Sequence, residues 1–151
     1  MKRFRFRLES IRNLRAMRER EVRQALAAAL NRLNEAEASL AAVHARDAAL
    51  ATALREARTE RFNPSVHIAG ARAMERLAVE VAEAQKIRHD AMLARHTAHQ
   101  EWLAARRDLQ VLERLEERDR LLHHAEMLRV EQAEIDEFAG LTAARNPLAT
   151  S

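Results

Sequence analysis

The chain has 151 residues, with 26 Lys and Arg against 23 Asp and Glu and a formal net charge of +3. Charged residues make up 32% and aromatics 3%, with 2 Gly, 2 Pro and no Cys. Such a chain has too few large side chains for a round core and no thiol for a disulfide, a metal site or a nucleophile. A charge this near balance does not by itself argue for nucleic acid.

The dominance of Ala, Glu, Arg and Leu is that of long helices packed along a seam. No stretch approaches the ~20 apolar residues of a membrane span, so direct membrane insertion is not expected. The opening "MKRFRFRLES" sets Phe4 and Phe6 among Lys2, Arg3, Arg5 and Arg7. It lacks the apolar run and the small-residue cleavage site of a secretory signal, which favours a cytoplasmic protein.

A first helix is expected over about residues 4–61. Ile11, Leu14 and Met17 step by three, and then Val22, Leu26, Ala29, Leu33, Ala36, Leu40 and Val43 alternate steps of four and three. Leu50, Leu54 and Ala57 continue the stripe, and Asp47 interrupts it. This is the heptad pattern of a coiled coil. A turn follows over about 62–70, because Pro64 lacks an N–H and drives Asn63 away from the α region. Ser65 is a candidate cap, and Gly70 fits either the loop or a weak point in the next helix.

The second helix is expected over about 71–139. Its stripe runs through Leu77, Val81, Ala84, Ile87, Ala91, Ala94, Ala98, Trp102, Ala105, Leu109, Leu112, Leu115 and Leu122, with a stutter between Ala98 and Trp102. Gly140 is the expected stop, and residues 142–151 are an expected disordered tail. Helices of this size reach roughly 80–105 Å at 1.5 Å per residue. One tight turn between them makes a single domain, 1–151, of the all-α class: a long antiparallel two-helix coiled-coil hairpin. A self-associating helix pair is the alternative. With the turn centred near residue 65, Leu8 would lie near Leu122 and Leu54 near Leu77, and everything after about Met127 would overhang the N-terminus.

Little in the pattern suggests chemistry. His89, His96 and His99 share one helix face and could in principle hold zinc or nickel, but that face lies opposite the Ile87/Ala91/Ala94 stripe, where solvated histidines are expected. His123 and His124 point to different sides. No Gly-rich phosphate loop, strained Ser or carboxylate pair in a cleft is visible, so no catalytic residue, cofactor or metal is expected. The Arg-rich start is a poor match to the positive end of the helix dipole, which suggests a partner for those charges. The segment "EQAEIDEFAG" (131–140) is acidic, and Ile135, Phe138 and Leu141 recur in it at helical spacing, an apolar stripe with no internal partner.

The two ends carry a family resemblance. "FRFRLESIRNLRAMREREV" from Phe4 and "LERLEERDRLLHHAEMLRVEQAEIDEFA" near the C-terminus resemble the FliJ family of bacterial flagellar export proteins. Phe6-Arg7-Leu8-Glu9, Trp102, Glu113, Arg118, Glu126 and above all Asp136-Glu137-Phe138-Ala139 carry the likeness. The resemblance implies an antiparallel coiled coil, similar in shape to the stalk subunit of rotary ATPases. Its terminal end would sit in the central hole of the flagellar export ATPase hexamer, promote assembly of that ring and link it to the membrane export gate. The resemblance also implies export chaperones as partners, no nucleic acid, no enzymatic activity, and a cytoplasmic place beside the inner membrane at the flagellar base. By matched motif, Phe6, Leu8, Arg118, Asp136, Glu137 and Phe138 would belong to the ring-facing end, with their neighbours Phe4, Arg7, Ile11 and Ile135. The stalk protein of a virulence secretion system, a structural coiled coil without an ATPase partner and a basic nucleic-acid-binding rod are the alternatives.

Overall fold

The computed structural model describes residues 3–145, and they form two helices, α1 (Glu9–Thr59) and α2 (Pro64–Arg145), joined by a short turn. The fold is an antiparallel helical hairpin. The chain divides into two compact units, Glu19–Ala105, and Met1–Arg18 with Arg106–Ser151.

α1 begins later than expected, at Glu9 rather than near residue 4. The Glu9 N–H donates to the Phe6 carbonyl at 3.3 Å and the Arg12 N–H to the Leu8 carbonyl at 2.9 Å, so the chain turns into the helix at Phe6–Leu8. Glu9 puts an acid in the first turn, the favourable sign for the helix dipole.

α2 begins earlier than expected, at Pro64 rather than near 71, and its cap is Asn63, not Ser65. The Asn63 Oδ1 accepts the Ser65 N–H at 3.1 Å and the Ser65 hydroxyl at 2.6 Å. The cause is local. Pro64 holds Asn63 out of the α region, the backbone a cap residue needs, and itself takes the first helical position, where a missing N–H costs nothing. α2 also passes through Gly140 without stopping and runs to Arg145. The rest of the expected tail, 146–151, lies outside the described residues.

In the Glu19–Ala105 unit the seam follows the heptad. Val22, Ala29, Ala36 and Val43 are buried at seven-residue steps, with Leu26, Leu33 and Leu40 half-buried between them. α2 brings Gly70, Ala84 and Ala105 as its buried residues, and Leu77, Val81, Ala91, Ala98 and Trp102 are half-buried. Ile87 and Ala94 were expected in this stripe and are exposed. Small side chains at the buried steps let the two backbones approach, so burial is spread thinly along the seam. Arg46 pairs with Glu80 at 2.6 Å and Arg88 with Glu37 at 3.6 Å. Both pairs are half in water and contribute little energy, but they mark the antiparallel register.

Leu54 was expected beside Leu77 and lies instead against Gly70, two turns nearer the bend, because α2 starts that much earlier. A methyl group at Gly70 would overlap one δ-carbon of Leu54 and crowd the other at 3.0 Å. Gly70 is therefore a helix residue kept bare for a neighbour. At the opposite end of this unit Glu19 is buried, and its Oε1 accepts the Trp102 indole N–H at 3.0 Å. Arg23 stands 3.9 Å from its other oxygen. A buried carboxylate met by an indole donor tolerates only one register, since any slip strands the charge.

Two measurements check this packing. Gly70→Ala is expected to destabilise the hairpin by about 1 kcal/mol while Leu54 is present, because the overlap outweighs the gain in helix propensity. In a Leu54→Ala background the same change is expected to stabilise by about 0.5–1 kcal/mol, and a denaturant double-mutant cycle reads the change of sign. Trp102→Phe, which removes the donor to Glu19 and keeps a ring, is expected to cost about 1–3 kcal/mol in the same assay.

Candidate partner-binding end

All ten residues assigned to a partner from sequence fall in the unit built from the chain's two ends, but the structure does not make one site of them. Phe6 is only 5% exposed and packs inside its own unit. Phe4 is half-buried, its ring 5.5 Å from the His123 ring at 59°. Leu8 is half-buried. Phe4 and Phe6 close the start of the chain onto α2 at His123 and Glu116. Arg7 and Arg118 are exposed, and Arg118 pairs with its neighbour Asp119 at 3.2 Å.

Ile11, which was read beside the seam, and Leu14 and Met17, which follow it in steps of three, are all exposed, Leu14 by 64%. The reason is geometric. A step of three falls about 60° short of a full turn, so three such residues wander around the helix instead of holding one line. The inward places go to Arg12, Ala16 and Glu19. Arg12 makes a short ion pair with Glu116, and Arg15 reaches Asp108 at 3.2 Å. The Arg12 guanidinium is held above its ordinary range, chiefly by its hydrogen bond to Glu116, with Glu9 and Glu113 adding to the attraction and burial opposing it. The Leu8–Leu122 pairing gives way likewise, for Leu122 is exposed and Phe4 meets His123.

These contacts leave the last part of α2 alone. Beyond Met127 only Glu131 is half-buried, and every other described residue is exposed. Ile135 and Phe138 stand in water, Phe138 by 70%, and with Glu131 and Glu134 they line one shallow recess. Asp136 accepts a hydrogen bond from the Gln132 amide at 2.8 Å, one turn away on the same helix, and Glu137 is exposed. Phe138 lies fifteen residues past His123, roughly 22 Å along the helix. The aromatic pair at the start of the chain and the aromatic near its end are thus separate features, one packed and one open.

The sequence reading took in Glu131 and Glu134 as part of the acidic segment 131–140 but passed over Leu128, which extends this open face. The signal was present, since Leu128, Glu131, Ile135 and Phe138 follow steps of three, four and three. A second recess is lined by Arg3, Arg120, His123, His124, Met127, Leu128 and Glu131, where the basic arm meets the base of this extension.

Among the described residues no group of three His, Asp or Glu is placed to hold a metal ion. His89 and His96 are exposed, and His99 is half-buried with its ring 5.9 Å from Trp102. No helix of the described residues is long and apolar enough to cross a membrane.

The family model described as Flagellar FliJ protein matches residues 4–148, which spans both helices, the packed start and the open extension. The chain belongs to the FliJ family. No curated protein and no solved structure matches it. FliJ membership makes the chain a component of the flagellar protein-export apparatus, and the end residues that carry the likeness are those of this unit.

Burial divides those residues into two kinds, which a stability measurement separates. Phe6→Ala is expected to destabilise the chain by about 3 kcal/mol through loss of a buried aromatic. Phe138→Ala is expected to change stability by less than about 0.5 kcal/mol in the same denaturant titration.

Proposed function

We propose that the chain is a non-enzymatic stalk of the flagellar export apparatus, which binds the export ATPase hexamer through the open end of α2. The observation that carries this reading is the exposed face Leu128, Ile135 and Phe138, bordered by Glu131 and Glu134, on a helix that continues well past the first residues of α1. Exposed apolar side chains at helical spacing are a docking face for another protein, and a helix that projects beyond its own partner is free to enter a ring.

In this reading Phe6 and Leu8 do not touch the ATPase. Phe6 fastens the start of the chain to α2, and Phe4 does so through His123. Ile135 and Phe138 supply the apolar anchor, while Asp136 and Glu137 meet basic groups on the ring. Exposed Arg7 and Arg118 are placed to meet acidic ones. Coupling to the membrane export gate, contact with export chaperones and a place at the inner membrane are what the family resemblance suggests, and they belong to the same proposal. No residue of the Glu19–Ala105 unit is assigned to them.

Titration of the chain into the purified export ATPase, following hexamer formation and hydrolysis rate, tests the reading. Saturation near one chain per hexamer with faster hydrolysis is expected. Ile135→Ala with Phe138→Ala is expected to weaken binding by roughly tenfold or more with helicity unchanged, as for anchors at the centre of an interface. Undiminished binding by that double variant would sink the assignment of this face.

A further inference from the structure

The unit formed by the chain ends exposes a second apolar face besides the extension of α2. Ile11, Leu14 and Met17 look outward from the start of α1, near the exposed cations Arg7, Arg15 and Arg18 and the exposed acid Glu9, Arg18 having an interaction of its own. Arg15 shares its charge with Asp108. The extension has the opposite character. Leu128, Ile135 and Phe138 form its stripe, Glu131 and Glu134 lie against that stripe, and Asp136 and Glu137 add to the negative charge.

We infer that these two faces are complementary halves of one contact, and that the open extension of α2 docks on the Ile11/Leu14/Met17 face of a second copy of this chain. Charge selects this arrangement. Two extensions laid on each other would bring Glu131 and Glu134 together with their counterparts, and two α1 faces would oppose Arg to Arg. Only the extension-on-α1 pairing covers the stripe of the extension with the broad apolar face of α1 and matches acids with bases.

The register permits it twice at once. The pairs Arg12–Glu116 and Arg15–Asp108 set the α1 face beside residues of about 108–116 on α2. The stripe centred on Ile135 lies roughly 35 Å further along the same helix. When two copies are laid antiparallel with that offset, the extension of each falls on the α1 face of the other. The contact is reciprocal and closes as a two-fold dimer, so it does not propagate into a fibre. This inference stands apart from the ATPase reading. Where both hold, the dimer and the ring compete for Ile135 and Phe138.

Sedimentation velocity of the full chain over a range of concentrations and salt tests it. A monomer–dimer equilibrium that weakens as salt rises is expected. A chain that stays monomeric at every concentration in low salt would overturn the inference. Ile135→Glu with Phe138→Glu is expected to weaken the dimer by roughly tenfold or more with helicity by circular dichroism unchanged, and an unaltered dimer would overturn it. A charge exchange distinguishes the pairing. Glu131→Arg with Glu134→Arg in one variant, and Arg7→Glu with Arg18→Glu in another, are each expected to be monomeric alone and to form a heterodimer when mixed. If the second variant dimerised alone, the extensions would be pairing with each other and the inference would fail. No heterodimer in the mixture would also count against it.

Discussion

The point at which α2 begins is the constraint on which the packing of the Glu19–Ala105 unit depends. The Asn63 side chain caps the helix and Pro64 occupies its first position, so the second helix cannot start elsewhere without losing both. From that start, Gly70 is carried to Leu54, Glu80 to Arg46 and Arg88 to Glu37. A seam of Ala and Val alone would tolerate a slip by a heptad, because one small side chain replaces another. A cap, a bare glycine under a leucine and a buried carboxylate under a tryptophan do not tolerate it.

The polar groups of the seam reinforce this. Glu19 with Trp102, and Arg12 with Glu116 in the other unit, occupy places where a coiled coil ordinarily carries Leu or Val. Such pairs add little net stability, because desolvation offsets most of the attraction. Their effect is on alternatives, since each wrong register leaves a charge without its partner. Where Arg12, Ala16 and Glu19 take the inward line, Ile11, Leu14 and Met17 are turned out. Specific pairing inside the hairpin and an apolar face outside it therefore have one origin.

The inequality of the helices has the larger functional consequence. α1 has 51 residues and α2 has 82, and Phe6 and Phe4 close the start of the shorter one against the longer. What remains of α2 carries apolar residues at the same spacing as a seam, with no helix opposite. Burial decides which end residues are packed and which stand in water.

The sequence by itself determined the fold class, the two helices and the place of the bend, because heptad periodicity and an Asn-Pro pair act within a few residues of themselves. It also determined the family, through motifs at both ends that the match over residues 4–148 covers. It erred at Ile11, which was read beside the seam and is exposed, and at Gly140, where glycine suggested a stop and the helix continues; at Gly70 it left loop and helix both open, and the helix is what forms. Only the tertiary structure decided those points, and for one reason. Whether a side chain is buried depends on what stands across from it, and that partner lies about a hundred residues away along the chain: Glu116 for Arg12, Trp102 for Glu19, and nothing for Phe138.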